Sequence, residues 1–478
     1  MKYIHYIFFF IFVSTLFFSS CKKEEFLTDS SAKLEFSTDS VLFDTVFTTL
    51  GSTTKTFRIY NRHSQAMNIS RIYLATGSTS PFKLNVDGIS GKSISDVEIA
   101  GGDSLFVFVQ VTVDPLGASN PLLIRDSIIF ETNNNFQDVK LTAIGQDVYI
   151  HKPDHFPTNG FPPYSIIDCP GGVGTWMNDK PHLIFGYAVV DSACTLNMLA
   201  GTRVHLYNNA VLWVYKDATL NVQGTKGTEV IFQGMRLEPD FRDEPGQWGK
   251  IWLSAGSKNN VINYAIIKNG GIGLQVDTVV TPGTPTVKLT NTIIKNMTAA
   301  AIYGLGAHIW SNNCVFANCG QYVAALTIGG KYNFEHCTFA NFWSATEART
   351  TPLLVMNNYY TSGSFIIVRP LDSCYFKNCI LYGDLSEEIG IDSIVGATGY
   401  NFAYEFDHCL LRTERSLIPS RYVNCNKNVN PGFKDVSYQL ESTAVNSIDK
   451  GDFTTFVLDL NGNFRTGAPD LGAFEFYP

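Results

Sequence analysis

Asn313-Cys-Val-Phe-Ala-Asn318 and His336-Cys-Thr-Phe-Ala-Asn341 are near copies of one another, 23 residues apart. The same pattern returns at Tyr264-Ala-Ile-Ile-Lys-Asn269, Asn291-Thr-Ile-Ile-Lys-Asn296, Asn378-Cys-Ile-Leu-Tyr-Gly383 and His408-Cys-Leu-Leu-Arg-Thr413. Their starts are separated by 27, 22, 23, 42 and 30 residues. Self-similarity with a period of about 22 residues marks a solenoid, and this unit is too short for a pair of helices. With its strand-like composition it suits one coil of a parallel β-helix, built from three short strands and three turns. On this reading the 42-residue interval holds two coils, the first centred on 353–358.

Stacking explains which residues recur. Successive coils lie about 4.8 Å apart, so equivalent residues sit over one another. Asn269, Asn296, Asn318 and Asn341 are expected in one slot, as a structural ladder. Asparagine tolerates left-handed backbone, and its amide can bond to the coils above and below. Cys314, Cys337, Cys379 and Cys409 share another slot, where small polarizable side chains fill a narrow core. Neighbouring coils also meet the separation a disulfide needs.

The segments Ala200-Gly-Thr-Arg-Val-His-Leu206, Ala210-Val-Leu-Trp-Val214, Ala218-Thr-Leu-Asn-Val222 and Gly246-Gln-Trp-Gly-Lys-Ile251 resemble early coils of the pectin-lyase-like superfamily. That resemblance spans about residues 165–440 and implies a right-handed parallel β-helix, without implying an activity. Asn430-Pro-Gly-Phe433, Ala444-Val-Asn-Ser-Ile-Asp449-Lys-Gly451, Asp459-Leu-Asn-Gly462 and Asp470-Leu-Gly-Ala-Phe-Glu475 resemble the C-terminal segment of β-helix proteins with a choice-of-anchor Q domain. Asp449, Arg465 and Asp470 are then expected to close the last coil, because an open end would expose a sheet edge. The β-helix with this capping segment is assigned 165–478.

In front of it, 34–148 reads as an antiparallel β-sandwich of about seven strands. Leu105, Val107, Val109, Val111 and Val113 alternate with Phe106, Phe108, Gln110 and Thr112, a period of two. The runs Phe43-Asp-Thr-Val-Phe-Thr-Thr-Leu-Gly-Ser52 and Ala143-Ile-Gly-Gln-Asp147 resemble Ig-like modules of the abnormal-spindle/Hydin type. The proline-rich stretch 149–164 is expected to be a linker. The fold class is therefore all-β: an N-terminal Ig-like sandwich followed by a right-handed parallel β-helix.

The N-terminus carries an address. Lys2 precedes a largely apolar run from Ile4 to Phe18, with two serines and Cys21 after it. This is signal-peptide grammar, and the run is short for a membrane span. Leu16-Phe-Phe-Ser-Ser-Cys21 resembles the lipobox of bacterial lipoproteins, which implies a signal peptide at 1–20, acylation of Cys21 and a tether over 21–33. Lys22-Lys23-Glu24-Glu25 resembles the export signal of Bacteroidetes surface lipoproteins, implying an outer-membrane anchor in the lipid bilayer that faces the exterior. The formal charge of −8 argues against a nucleic-acid partner.

The carboxylates supply the candidate chemistry. Glu405 and Asp407, two apart on one strand, share a face. Their expected separation of about 7 Å is near that of inverting glycosidases. Glu335 falls in the slot of Asp407, and His336 and His408 in the next, so these five are the catalytic candidates. Glu238, Asp240, Asp243 and Glu244 crowd one loop and form the candidate Ca²⁺ site; no other cofactor is expected. His151 and His155 have a metal-ligand spacing that works only on a helix, which Pro153 and Pro157 forbid. Trp213, Trp248, Trp252, Trp310 and Trp343 are candidate sugar-stacking rings. Every repeated motif has a sufficient folding explanation. The expected function is therefore a non-catalytic glycan-binding or adhesive surface protein with a glycan or protein ligand, the alternative being a polysaccharide lyase or glycoside hydrolase.

Overall fold

The computed structural model describes residues 25–115, 117–278, 283–345, 347–394 and 401–477. The signal peptide, Cys21 and Lys22 to Glu24 lie outside the described residues. Three single-turn 3-10 segments are the only helical structure among them, and no helix there is long and apolar enough to cross a membrane. The chain forms two units that divide between Asp147 and Val148.

The first unit has ten strands in two five-stranded sheets around one apolar core. Pairing is antiparallel except where Asn135–Gln146 runs parallel to Ser40–Phe47. Val107, Val109 and Val111 are fully buried while Phe106 and Phe108 are 44% and 39% exposed, the inside–outside alternation of a half-buried strand. Asn133 and Asn134 both take positive φ and turn one long hairpin.

The second unit is parallel β-helix-like. Its first face is a ten-stranded sheet, from Val173–Trp176 through His308–Asn312, Gly330–Glu335, Leu371–Lys377 and Phe402–Asp407 to Tyr422–Val423. The other two faces are ladders of an 18-stranded sheet, joined where His182–Val190 and Arg203–Val214 run across the corner between them. The second face carries Ala265–Lys268, Ile293–Met297, Val315–Cys319, Thr338–Asn341 and Ile380–Gly383. On the third lie Trp248–Leu253, Gly270–Val276, Ala300–Leu305, Tyr322–Thr327, Leu354–Asn357 and Ile389–Asp392. Inward side chains merge into one long core, with Phe334, Phe376, Phe406 and Tyr422 stacked coil on coil.

All three corners use left-handed backbone, the one from the third to the first face through Ala193, Asp217, Gly256, Gly306 and Ile328. Asn269, Asn296 and Asn318 turn the chain from the second to the third face with φ of 67°, 57° and 51°. Asn341 is absent from the left-handed set; it is buried, and its amide bonds both N–H and C=O of Cys319 one coil back, at 3.0 Å each. The corner between first and second faces is the most regular one. Tyr264, Asn291, Asn313, His336, Asn378, His408 and Asn424 all take φ between 46° and 54°. The residue after each is the inward column Ala265, Thr292, Cys314, Cys337, Cys379, Cys409 and Cys425. A separate disulfide joins Cys169 to Cys194.

Three expectations are corrected. The 42-residue interval is one coil, not two, because Thr338–Asn341 pairs directly with Ile380–Gly383. The surplus forms the loop after Asn341 and an outward hairpin, Tyr359–Ser362 with Phe365–Val368. Next, 149–164 is not simply a linker: Tyr149–His151 pairs in parallel with 182–184, and Tyr164–Ile166 with 187–189. Finally, Arg465 does not close the last coil but helps 429–477 to cover a flank, donating to Asn313 while the Gly472 and Ala473 amides donate to Asn378 and Thr338. Tyr438, Leu460, Ala473 and Phe474 pack on Val315, Ala317 and Ala340, whose small apolar outer face would otherwise meet water. Asp470 and Glu475 are buried there, and so is the Arg465 side chain, its Nη1 bonded to Glu475 Oε2 at 3.3 Å.

Candidate functional site

Two places on the second unit bring chemistry-bearing side chains together. The first grows from the outer side of the first face. Phe406 points inward and is buried, so Glu405 and Asp407 point outward together. Register sets Glu405 against Tyr375, and Asp407 against Lys377, which is itself against Glu335. Asp407 and Glu335 are therefore two coils apart, about 10 Å, with a lysine between them.

Asp407 is fully engaged. Its Oδ2 accepts from the Tyr375 hydroxyl at 2.9 Å and lies 3.7 Å from Lys377 Nζ, while Oδ1 is 2.7 Å from His408 Nδ1. Lys377 Nζ donates to Asp452 at 2.6 Å, and Asp407, His408 and Asp452 form the one cluster of potential metal ligands among the described residues. Burial opposes the Lys377 charge, yet the Asp452 bond and the Asp407 and Glu335 carboxylates raise its pKa. Burial and then the Asp407 bond hold the Tyr375 proton well above the ordinary phenol range. The cation that a metal would supply is already present as an ammonium.

His336 does not join this cluster. It is buried beneath the C-terminal segment, 3.2 Å from Thr454 Oγ1 and 3.1 Å from Asn378 Nδ2, and Asn378 separates it from His408. Burial, followed by the Arg465 charge, keeps it neutral. The loop acids stay apart as well. Glu238 pairs with Arg236 at 3.0 Å and Asp243 faces Lys268 at 3.7 Å, while Asp240 and Glu244 are exposed. His151 stacks on Trp176 and meets His182 at 3.0 Å.

The second place is an aromatic groove at the N-terminal end of the third face. Ile166, Val189, Trp213, Trp252 and Gln275 stand in register on successive coils. The indoles of Trp213 and Trp252 lie face to face, 4.8 Å apart and 7° from parallel. The coil rise leaves flat rings no other spacing. Tyr215 meets Trp213 edge-on at 5.3 Å. Ile166, Val189, Trp213 and Tyr215, with Phe161, Tyr164 and Asp191, line a groove of about 340 Å³. Phe161 and Tyr215 are 54% and 41% exposed at its rim. Trp252 is held by its Nε1 bond to Asp277 at 2.7 Å, whereas the buried Nε1 of Trp213 has no partner.

Of the other tryptophans, Trp248 belongs to the core, its Nε1 bonded to the Lys268 carbonyl. Trp310 lies on the first face beside Lys288 and Phe456. Sequence reasoning passed over Lys377 and Tyr375, although Lys377-Asn-Cys379 matches Glu335-His-Cys337 and Asp407-His-Cys409 in the repeat. Phe161, Tyr164, Tyr215 and Asp191 carry no repeat signal, and Asp452 reaches the cluster from the non-repeating C-terminal segment.

No protein-family profile matches the chain, and no curated protein is similar to it. Among solved structures, similarity is found to a family 123 glycoside hydrolase from Clostridium perfringens, at 6% identity and a TM-score of 0.17 over 24% of this chain. The chain spans about a quarter of that protein's length, 26%. A PapD-like domain of human CEP192 is similar at 12% identity and 0.17, over 27% of this chain and 92% of the domain. The catalytic domain of a GH87 α-1,3-glucanase with bound nigerose aligns at 9% identity and 0.20, over 79% of this chain and 88% of that one. Scores this low carry no functional argument.

Proposed function

We propose that this chain is a non-catalytic glycan-binding protein held at the outer face of an outer membrane. The observation that carries binding is the aromatic groove. Apolar ring faces stack on the CH-rich side of a pyranose, and the rim adds polar groups that bond hydroxyls. Asp191 supplies an acceptor and the exposed Tyr215 hydroxyl a donor.

An acylated Cys21 anchors the chain, since each buried CH₂ contributes about 0.8 kcal/mol. The two-sheet unit is an Ig-like spacer, and the solenoid is a right-handed helix of the pectin-lyase-like kind with a choice-of-anchor Q-type end. Against catalysis stands the Asp407 cluster, whose carboxylate is already committed to a tyrosine, a lysine and a histidine.

The experiment is a glycan array on the full chain, then titration calorimetry with the best oligosaccharide. Tyr215→Ala and Phe161→Ala, both at exposed positions, are expected to weaken binding about five- to tenfold each. Unchanged affinity in both would sink the groove. Reducing-end or unsaturated-product release that Asp407→Asn abolishes would replace binding with hydrolysis or elimination. Incorporation of a palmitate analogue, lost in Cys21→Ala, tests the anchor.

A further inference from the structure

The inward cysteine column is longer and more ordered than a packing preference requires. Val315, Thr338, Ile380, Leu410 and Asn426 pair in unbroken register on the second face. The residues one position earlier, Cys314, Cys337, Cys379, Cys409 and Cys425, are thereby set above one another on five successive coils. Each thiol faces the same way: Cys314, Cys337, Cys379, Cys409 and Cys425 all donate to the carbonyl two residues back, at 3.2–3.4 Å. None is in a disulfide in this structure.

One coil rise of about 4.8 Å lies inside the Cα–Cα range that a disulfide spans. The chain already makes one such bridge between successive coils, Cys169–Cys194, with its Cα atoms 5.9 Å apart. Access distinguishes the column members. The first four are at most 1% exposed, while Cys425, on the last coil, is only half-buried. An oxidant from solvent therefore meets the column at one end.

We propose that Cys409 and Cys425 are a redox modification site that takes low-molecular-weight disulfides and closes into an intercoil bridge. The Cys425 thiolate attacks one sulfur of the external disulfide, forming a mixed disulfide and expelling one thiolate. Cys409 then loses its proton and attacks the Cys425 sulfur, forming the Cys409–Cys425 bond and expelling the second thiol. Two protein thiols are oxidised, and the external disulfide is reduced to two thiols. The bridge ties Tyr422–Val423 and Asn426–Lys427 covalently to the coil before them. Five thiols cannot all pair, so further oxidation inward leaves at least one free.

The test uses the full chain, folded throughout, in graded oxidised glutathione at mildly alkaline pH. Acid quenching, alkylation and peptide mass spectrometry then locate the modified cysteines. The Cys409–Cys425 linkage is expected first, with Cys314, Cys337 and Cys379 still alkylated as thiols once the chain is unfolded. Amide exchange over 422–428 is expected to slow at least tenfold in the linked form. Cys409→Ser should stop at a stable glutathione adduct on Cys425, and Cys425→Ser should take up no glutathione in the column. A wild-type adduct on Cys425 that is never displaced, or a deeper pair that links first, would overturn the proposal. So would a linkage that forms only in denaturant.

Discussion

Replacing Arg349 with Met should loosen the one oversized coil without disturbing its neighbours. Arg349 and Glu388 are 3% and 0% exposed, with Nη2 2.5 Å from Oε1 and Nη1 2.8 Å from Oε2. The carboxylate also accepts from the amides of Leu353 at 2.8 Å and Leu385 at 3.0 Å. Arg349 in turn binds the carbonyls of Asn341 and Thr351, clamping the loop that follows the second-face strand. Breaking a buried pair by removing one partner costs about 3–5 kcal/mol, because the remaining charge stays buried. Glu388 keeps two of its four donors in the variant, so about 3 kcal/mol is expected, or roughly a 150-fold rise in local opening. Amide exchange at 354–357 and 389–392 reads this directly, since solenoid coils open as local units. The double variant Arg349→Met/Glu388→Gln removes both charges and should recover about half of the loss. A single-variant effect under about 1 kcal/mol, or a double variant as loose as the single, would refute the electrostatic account.

Other outcomes follow from buried polar groups and from the inserted hairpin. Burial holds His151 at about 4 and His182 at about 3, so the folded state binds fewer protons than the unfolded one from there up to about pH 6.5. Stability of the second unit therefore falls as pH drops through that window, by about 3 kcal/mol for one such histidine. Denaturation midpoints from pH 7.5 to 4.5 should show the slope, and His151→Phe, which keeps the ring stack on Trp176, should flatten it. Excising 359–368 and joining Asn358 to Arg369 through two glycines should change stability by no more than about 1 kcal/mol, since Phe365 and Ile366 are 74% and 56% exposed. Loss of amide protection at 354–357 would contradict the insertion reading. Tyr438→Phe deletes the 2.8 Å hydroxyl bond to Asn318 and should cost about 1 kcal/mol, seen as faster proteolysis of the C-terminal segment. Unchanged proteolysis would mean that the ring alone holds it.

What was legible in the sequence is what repeats. The cysteine slot was visible because one-coil register puts like on like, and Cys425 extends it by one coil. The paired Glu405 and Asp407 were placed on one face by strand geometry alone. Spacing failed where a coil carries cargo: a 42-residue interval looks like two turns unless pairing shows that Thr338 meets Ile380. Chain-distant partners were invisible. Asp452 reaches Lys377 across 75 positions, and Arg465 reaches Asn313 across 152, with no periodic signal to announce either. The left-handed corner at His336 and His408 was also hidden, because histidine there does the work of asparagine while looking like chemistry.

The oversized coil has a consequence for how such a molecule changes over time. Its axial advance is one rung, the same as a coil of 22 residues, because the ladder counts turns and ignores contour length. Insertions thus alter the girth of a single storey and leave every storey above it in place. Growth in height demands a whole new turn, whereas novelty at the surface needs only a longer arc between two fixed rungs, as the hairpin at 359–368 illustrates.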